Sequence, residues 1–63
     1  MIQATFINLS DNIRYNRVYQ TKGRFISAVK RLKGALFENA VDFDKKELIL
    51  ADELYRQLHS FYD

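Results

Sequence analysis

The sequence predicts an α+β fold: a small single domain over residues 1–63, without a linker, in the element order ββαββα. Residues 2–20 alternate between apolar and polar side chains, as half-buried strands do. Two later segments repeat apolar residues every three or four positions, which is typical of amphipathic helices. Two short runs between these segments flank a charged turn. This order favours an antiparallel sheet with both helices packed on one face.

The first predicted hairpin joins strands over residues 2–9 and 13–20. Residues 10–12, Ser-Asp-Asn, form its turn, because short polar side chains hydrogen-bond to nearby backbone and tolerate left-handed conformations. Alternation along the first strand places three apolar side chains on one face, Ile2, Ala4 and Phe6. This face is therefore the expected core side of the sheet.

A helix is predicted over residues 22–36, with Thr21 as its N-cap. Neither Glu nor Gln stands at the third helical position, so the capping box is incomplete. At about 100° per residue, one arc of this helix is apolar and is expected to face the core: Phe25, Ala28, Val29, Leu32 and Leu36. Ile26 falls outside the arc and is expected to be exposed.

The second half of the chain repeats this order with shorter strands. Residues 39–43 and 47–50 are predicted to form a hairpin around the charged turn at residues 44–46. A second helix is predicted over residues 51–62, with Leu54, Leu58 and Phe61 on its apolar side. If the second hairpin does not form, the alternative is a ββα unit followed by a C-terminal helix.

The net charge of +2 is divided unevenly along the chain. Residues 1–36 hold seven Lys or Arg against one acid, a balance of +6. Residues 37–63 hold three Lys or Arg against seven acids, a balance of −4. Such asymmetry favours an anionic partner or packing of the basic half on an acidic half.

The positive charge is concentrated in the stretch from Thr21 to Leu36, which has five Lys or Arg and no acid. An ordinary solvated helix face mixes both signs. On the predicted helix, the cations cover most of the surface outside the apolar arc: Lys22, Arg24, Lys30, Arg31 and Lys33. They are candidate partner-binding residues, and Arg14 and Arg17 of the hairpin are expected to extend them.

Tyr15, Arg17 and Tyr19 fall on one face of the second predicted strand. A small domain uses its aromatic residues for packing, so the first interpretation is that both tyrosines border the core with their hydroxyls in water. The second interpretation is that Tyr beside Arg forms an interface hot spot. Both tyrosines are therefore candidate binding residues as well.

The sequence carries no pattern that indicates catalysis. Its one histidine, His59, is not part of a Ser–His–acid arrangement, because Ser60 is the adjacent residue and points away from it on the predicted helix, and the neighbouring helical positions hold Tyr55, Arg56, Tyr62 and Asp63. The run from Asp42 to Glu47 lacks the glycine and the remaining ligands of a calcium loop, so a charged hairpin turn is the better interpretation. We therefore expect a protein that is not an enzyme and that holds no metal or other cofactor.

The absence of cysteine excludes disulfides and thiolate metal sites and fits a reducing compartment. The first residues lack the charged and apolar regions of a signal peptide. No run approaches the roughly 20 apolar residues of a membrane span. We expect a cytoplasmic protein without a membrane partner.

Three hypotheses of function follow, in order of preference. The first is a regulator or inhibitor that occludes an acidic surface of a larger protein; short chains of this kind are common among accessory proteins of phages and mobile elements. The second is nucleic-acid binding, with the helix at 22–36 against phosphates, although no RNP, KH or helix-turn-helix signature is present. The third is self-association as a homodimer, the basic half of one chain meeting the acidic half of another.

Overall fold

Two β-hairpins, each followed by a helix, form the computed structural model, which describes the backbone of residues 1–62 and the side chains of residues 1–58. The order ββαββα is the one that the sequence predicts. The elements are β1 Ile2–Asn8, β2 Arg14–Tyr19, α1 Lys22–Lys30, β3 Ala35–Asp42, β4 Glu47–Leu50 and α2 Ala51–Tyr62.

The four strands form one antiparallel sheet in the order β2-β1-β3-β4. β1 and β3 are the central pair, and each hairpin supplies one edge strand. α1 packs against β1 and β2, whereas α2 packs against β3 and β4. Both helices contribute to the same buried cluster, which confirms that they cover one face of the sheet.

The core lies between the helices and the face of β1 that the alternation predicts. Phe25 of α1 meets Phe37 of β3 edge-on, with ring centroids 5.3 Å apart, and Phe37 lies 5.8 Å from Phe6. Aromatic pairs at such distances contribute about 0.5–1.5 kcal/mol beyond the area that they bury. This aromatic chain therefore joins the two halves. The buried apolar side chains are Ile2, Ala4, Phe6, Phe25, Val29, Phe37, Ala40, Ile49, Leu54 and Leu58.

α2 spans the predicted residues and supplies Leu54 and Leu58 to the core, as predicted. Ile49 of β4 belongs to the same cluster. The side chains of Phe61 and His59, which the sequence analysis singles out, lie outside the described residues.

α1 ends at Lys30, well before the predicted end at Leu36. Arg31 is its C-cap, and Gly34 has a φ of 72°, a left-handed conformation that glycine adopts without steric cost. The chain turns there, and the next residues pair with the free edge of β1. The predicted helix end is wrong because this non-local strand pairing overrides the helical propensity of Ala35 and Leu36.

The earlier helix end changes the environment of two apolar side chains. Leu36, expected in the core, is 51% exposed on β3. Ile26, expected to be exposed, is half-buried against the core. Phe25 and Val29 are buried as predicted, and Leu32 packs against the core from the loop after α1.

Local side-chain contacts shape the first turn and the start of α1. Thr21 Oγ1 accepts a hydrogen bond from the Arg24 N–H at 3.2 Å, which confirms Thr21 as the N-cap. In the β1–β2 turn, Asn12 has a φ of 58°, and Asp11 Oδ1 accepts from the Ile13 N–H at 3.0 Å. The turn chemistry predicted for residues 10–12 is therefore confirmed.

The second hairpin forms, and its first strand starts at Ala35 rather than at residue 39. The buried side chain of Asp42 stabilises the turn between β3 and β4. Asp42 Oδ1 accepts hydrogen bonds from the N–H groups of Asp44 at 3.0 Å and Lys45 at 3.2 Å. The charged run from residue 42 to residue 47 therefore forms a hairpin turn, as interpreted.

A β-bulge in β3 decides which of its side chains face the helices. Thr5 pairs with Asn39 but Phe6 pairs with Phe37, so Glu38 is the extra residue. Because of this bulge, Phe37 reaches the core, although regular alternation along β3 would turn it to the other face.

The face of the sheet opposite the helices is here called the open face. In β1 it carries Gln3, Thr5 and Ile7, which alternate with the buried residues. Their register partners on the neighbouring strands, among them Arg14 and Leu36, share this face.

Candidate functional site

The uneven charge along the chain becomes a charge difference across the sheet. The basic residues 1–36 form β1, β2 and α1, and the acidic residues 37–63 form most of β3 together with β4 and α2. β2 and β4 are the two edge strands. The basic half therefore lies on the β2 side of the molecule and the acidic half on the β4 side.

The candidate cations lie along α1 and directly after it. Lys22, Arg24 and Lys30 are on α1, and Arg31 and Lys33 follow it. All five side chains are exposed. Four of the five form no ion pair with the described side chains: Lys22, Arg24, Arg31 and Lys33. These five cations together with Arg17 are named the basic surface.

Two of these cations stand where they weaken the helix. Lys22 and Arg24 occupy the first turn of α1, which contains no acidic residue. The positive end of the helix dipole lies there, so a cation in this turn costs about 0.3–1 kcal/mol at low ionic strength. Lys30, in the last turn, has the favourable position. Helix stability therefore does not explain Lys22 and Arg24, and such local conflicts are expected at functional positions.

Arg14 and Arg17 lie on opposite faces of β2. Arg17 is paired in register with Ala4 on the helix-covered face, whereas Arg14 is paired with Ile7 on the open face. Arg14 Nε donates to Glu38 Oε2 at 2.7 Å. The structure thus separates Arg14 from the cations that follow β2, because strand residues three positions apart point to opposite faces.

The tyrosines of β2 border the core, as their first interpretation predicts. Tyr15 stacks on Phe6 with ring centroids 5.4 Å apart, and Tyr19 is tilted against Phe25 at 6.0 Å. Partial burial raises the pKa of the Tyr19 phenol above its usual 10.0, and the positive charge of Arg17 offsets this rise in part. Both rings are therefore engaged in packing, and the Tyr19 phenol is neutral at physiological pH.

Tyr15, Arg17 and Lys33 meet at an open groove of about 430 Å³ between the β1–β2 turn, β2 and the loop after α1. The N–H of Leu9 donates to the carbonyl of Gly34 at 2.9 Å, which holds the turn against that loop. Nothing in the sequence marks the remaining lining residues as part of a site, because only the fold brings the β1–β2 turn and the loop after α1 together. These residues are Asn8, Asp11, Ile13, Gly34 and Ala35.

The groove combines positive charge with an apolar wall. Two cations, Arg17 and Lys33, and one carboxylate, Asp11, line it. Ile13 is 61% exposed, and its side chain faces this space. A partner side chain with an apolar stem and a terminal carboxylate has the matching chemistry.

The described residues show no group of three or more His, Cys, Asp or Glu that is placed to hold a metal ion. In the charged turn, Asp42 uses one carboxylate oxygen to accept two backbone hydrogen bonds. The described side chains bring together a cationic surface beside an open groove.

The fold and this surface define a small two-layer α+β protein whose cationic side is bordered by an open groove. No protein-family model, curated protein or solved structure matches the chain. Within the described part of the chain, neither helix combines the length and the apolar character needed to cross a membrane.

Proposed function

We propose that the protein is a small non-enzymatic binding protein of the cytoplasm, which regulates or inhibits a larger protein by covering an acidic area of it with the basic surface. The observation that carries this proposal is the placement of Lys22 and Arg24 in the first turn of α1. The helix dipole favours acids at that position. An acidic partner supplies the negative charge that the helix itself lacks there.

The groove gives this surface a specific anchor point. A partner carboxylate that enters it meets Arg17 and Lys33, while the stem of the same side chain packs on the exposed Ile13. A partner side chain that is desolvated in the groove contributes more binding energy than the exposed contacts around it. We therefore assign specificity to the groove and to Arg17.

The exposed cations of α1 act mainly on the rate of association. Each exposed ion pair is screened and contributes little by itself, but a field of one sign steers the encounter, so that reversing two of these charges lowers the association rate and with it the affinity. The acidic half lies at the opposite edge of the sheet, on the β4 side, where it does not oppose an acidic partner. The charge separation thus orients the protein as it docks.

Nucleic-acid binding is the competing function, and the contacts of β2 count against it. Stacking of bases requires accessible aromatic rings, whereas Tyr15 and Tyr19 pack on core phenylalanines. Asp11 lies in the groove, and Arg14 lies on the open face. The cations therefore do not continue as a phosphate-binding track along β2.

Charge reversal on each half of the protein tests the proposal. Wild type, Arg24→Glu/Arg31→Glu and the control Lys45→Glu/Arg56→Glu are immobilised and exposed to an extract of the protein's own cells. Lys45 and Arg56 are exposed on the acidic half, so the control changes the net charge equally. We expect an acidic protein that wild type and control retain and that the Arg24/Arg31 variant retains about tenfold less. Equal retention by all three proteins contradicts the proposal.

Titration with labelled DNA and RNA distinguishes nucleic-acid binding from binding of an acidic protein. Micromolar binding at about 50 mM salt that falls steeply by about 200 mM indicates phosphate contacts and reverses our order of preference. No binding at the lower salt concentration removes nucleic acid as the partner.

A further inference from the structure

β2 is the longer of the two edge strands, and no described element is hydrogen-bonded to its outer edge. It has six residues against four in β4, contains no proline and pairs with β1 without a register shift. Proteins commonly protect an edge by a short strand, a proline or a bulge, because unpaired backbone groups accept a further strand. β2 has none of these protections, so its outer backbone groups are open to an added strand.

The backbone groups of β2 that face outward belong to every second residue. The Asn8 N–H donates to the Ile13 carbonyl at 3.0 Å, so this carbonyl points toward β1. The direction of the backbone groups alternates along an antiparallel pair, so residues 15, 17 and 19 also hydrogen-bond to β1. The N–H and C=O groups that point to the free edge are therefore those of Arg14, Asn16 and Val18.

The protection that β2 does have is positive charge, and this charge selects the strand that the edge accepts. Arg14 and Arg17 are the charged residues of β2. Arg14 is paired with Glu38 on the open face, whereas Arg17 forms no ion pair with the described side chains. Opposite charges on neighbouring strands are favourable and like charges are unfavourable. The edge therefore disfavours the β2 of a second copy and favours a strand with an acid opposite Arg17.

We propose that the acidic partner presents an extended segment that pairs antiparallel with the free edge of β2; this inference rests on the proposed function. Antiparallel pairing is slightly more stable per residue than parallel pairing. In such a complex the backbone hydrogen bonds of the added strand supply affinity, and its alternate side chains supply specificity. The segment exchanges its hydrogen bonds with Arg14, Asn16 and Val18, whose backbone groups point outward.

Alternation assigns a chemistry to each residue of the added strand. The partner residues opposite Tyr15 and Arg17 lie on the helix-covered side, in pairs whose Cα atoms approach to about 4.5 Å. An acid opposite Arg17 lies beside the groove, and an apolar residue opposite Tyr15 extends the border of the core.

On the open face, Val18 is 57% exposed, so an apolar residue opposite it is favoured as well. Asn16 Oδ1 accepts from Thr5 Oγ1 at 2.8 Å, and a polar residue opposite Asn16 suits this site. From the position opposite Val18 to the one opposite Tyr15, the expected segment is therefore apolar, acidic, polar and apolar.

NMR titration of the isotope-labelled full chain with the blocked peptide Thr-Val-Glu-Thr-Val-Thr tests the proposal. We expect a dissociation constant of about 100 μM. Amide exchange slows at residues 14, 16 and 18 and not at residues 15, 17 and 19, whose N–H groups already bond to β1. Replacement of the peptide's Glu by Lys, or Arg17→Ala in the protein, raises the dissociation constant about tenfold. A peptide that protects both sets of amides equally contradicts the edge pairing.

N-methylated peptides distinguish strand pairing from charge attraction alone. A methyl group on the nitrogen of the Thr that follows Glu blocks a hydrogen bond to Asn16 and abolishes binding. The matched control carries the methyl group on the nitrogen of Glu, which points away from β2, and keeps its dissociation constant within about twofold. If both methylated peptides bind like the unmodified one, the carboxylate binds without a strand, which overturns this inference and leaves the proposed function intact.

Two further outcomes overturn the inference. The first is no binding of the unmodified peptide at about 1 mM; retention of an acidic protein by wild type but not by Arg24→Glu/Arg31→Glu then still supports the proposed function. The second is protection of residues 14, 16 and 18 that rises with protein concentration in the absence of peptide, because β2 then pairs with a second copy.

Discussion

The guanidinium group of Arg17 lies 5.5 Å from the centroid of the Tyr15 ring, on the helix-covered side of β2. Tyr15 in turn stacks on Phe6 of the core. The core therefore positions the ring, and the ring positions the arginine at the edge of the groove. Arg14, on the same strand, donates instead to Glu38 from the open face. One strand thus directs two arginines to two different surfaces.

This difference predicts that Arg17→Ala and Arg14→Ala have different effects on partner binding. Arg17→Ala removes a cation from the groove and raises the dissociation constant of the captured partner about tenfold, whereas Arg14→Ala changes it less than about twofold. Both variants keep their stability within about 1 kcal/mol, because exposed ion pairs and cation–π contacts contribute little. Calorimetric titration with the partner measures the affinities. Equal losses in both variants contradict the assignment of Arg17 to the groove.

Arg24→Glu is predicted to stabilise the protein while it weakens partner binding. The new glutamate stands three residues after the N-cap Thr21, which completes a capping box and places an acid in the first turn of α1. We expect the free energy of unfolding to rise by about 0.5–1 kcal/mol. Urea denaturation followed by circular dichroism measures it.

Lys30→Glu is the control for this prediction, because it places the same new charge in the last turn of α1. It is expected to lower the free energy of unfolding by about 0.3–1 kcal/mol. If both substitutions change stability in the same direction, the helix dipole is not the cause, and the argument that Lys22 and Arg24 serve binding loses its basis.

Alanine substitution of the two glycines is predicted to have opposite effects. A Cβ at Gly34 or at Gly23 would meet no atom within 4 Å, so the backbone conformation at each position determines how the substitution changes stability. Gly34→Ala costs about 1–2 kcal/mol, because φ is 72° and the left-handed region is unfavourable for alanine. Gly23→Ala, in the first turn of α1, gains up to about 1 kcal/mol from helix propensity. Thermal unfolding of both variants provides the comparison.

Asp42→Ala is predicted to destabilise the second hairpin by about 1–3 kcal/mol, because the N–H groups of Asp44 and Lys45 lose their acceptor. Asp42→Asn keeps a side-chain oxygen in the same place and retains most of that stability. Amide exchange of the turn residues, measured by NMR, distinguishes the two variants. Equal exchange rates in both would show that the charge of Asp42, rather than its acceptor geometry, holds the turn.

Local patterns in the sequence predict much of the fold. Alternation in residues 2–9 identifies β1 and its buried face, since a strand exposes alternate side chains to opposite sides. The N-cap at Thr21 and the extent of α2 are also predicted correctly, because caps and helical periodicity depend on residues within one or two turns of each other.

The sequence by itself therefore determined the element order, the core side of β1 and the uneven distribution of charge. Only the tertiary structure decided where α1 ends, that Phe37 faces the core through a bulge, and that the groove brings Ile13 and Lys33 together. Each of these depends on β3 finding the free edge of β1, a contact between segments distant in the chain. The helix propensity of a residue does not depend on that pairing. The backbone hydrogen bonds between β1 and β3 outweigh the preference of Ala35 and Leu36 for a helix.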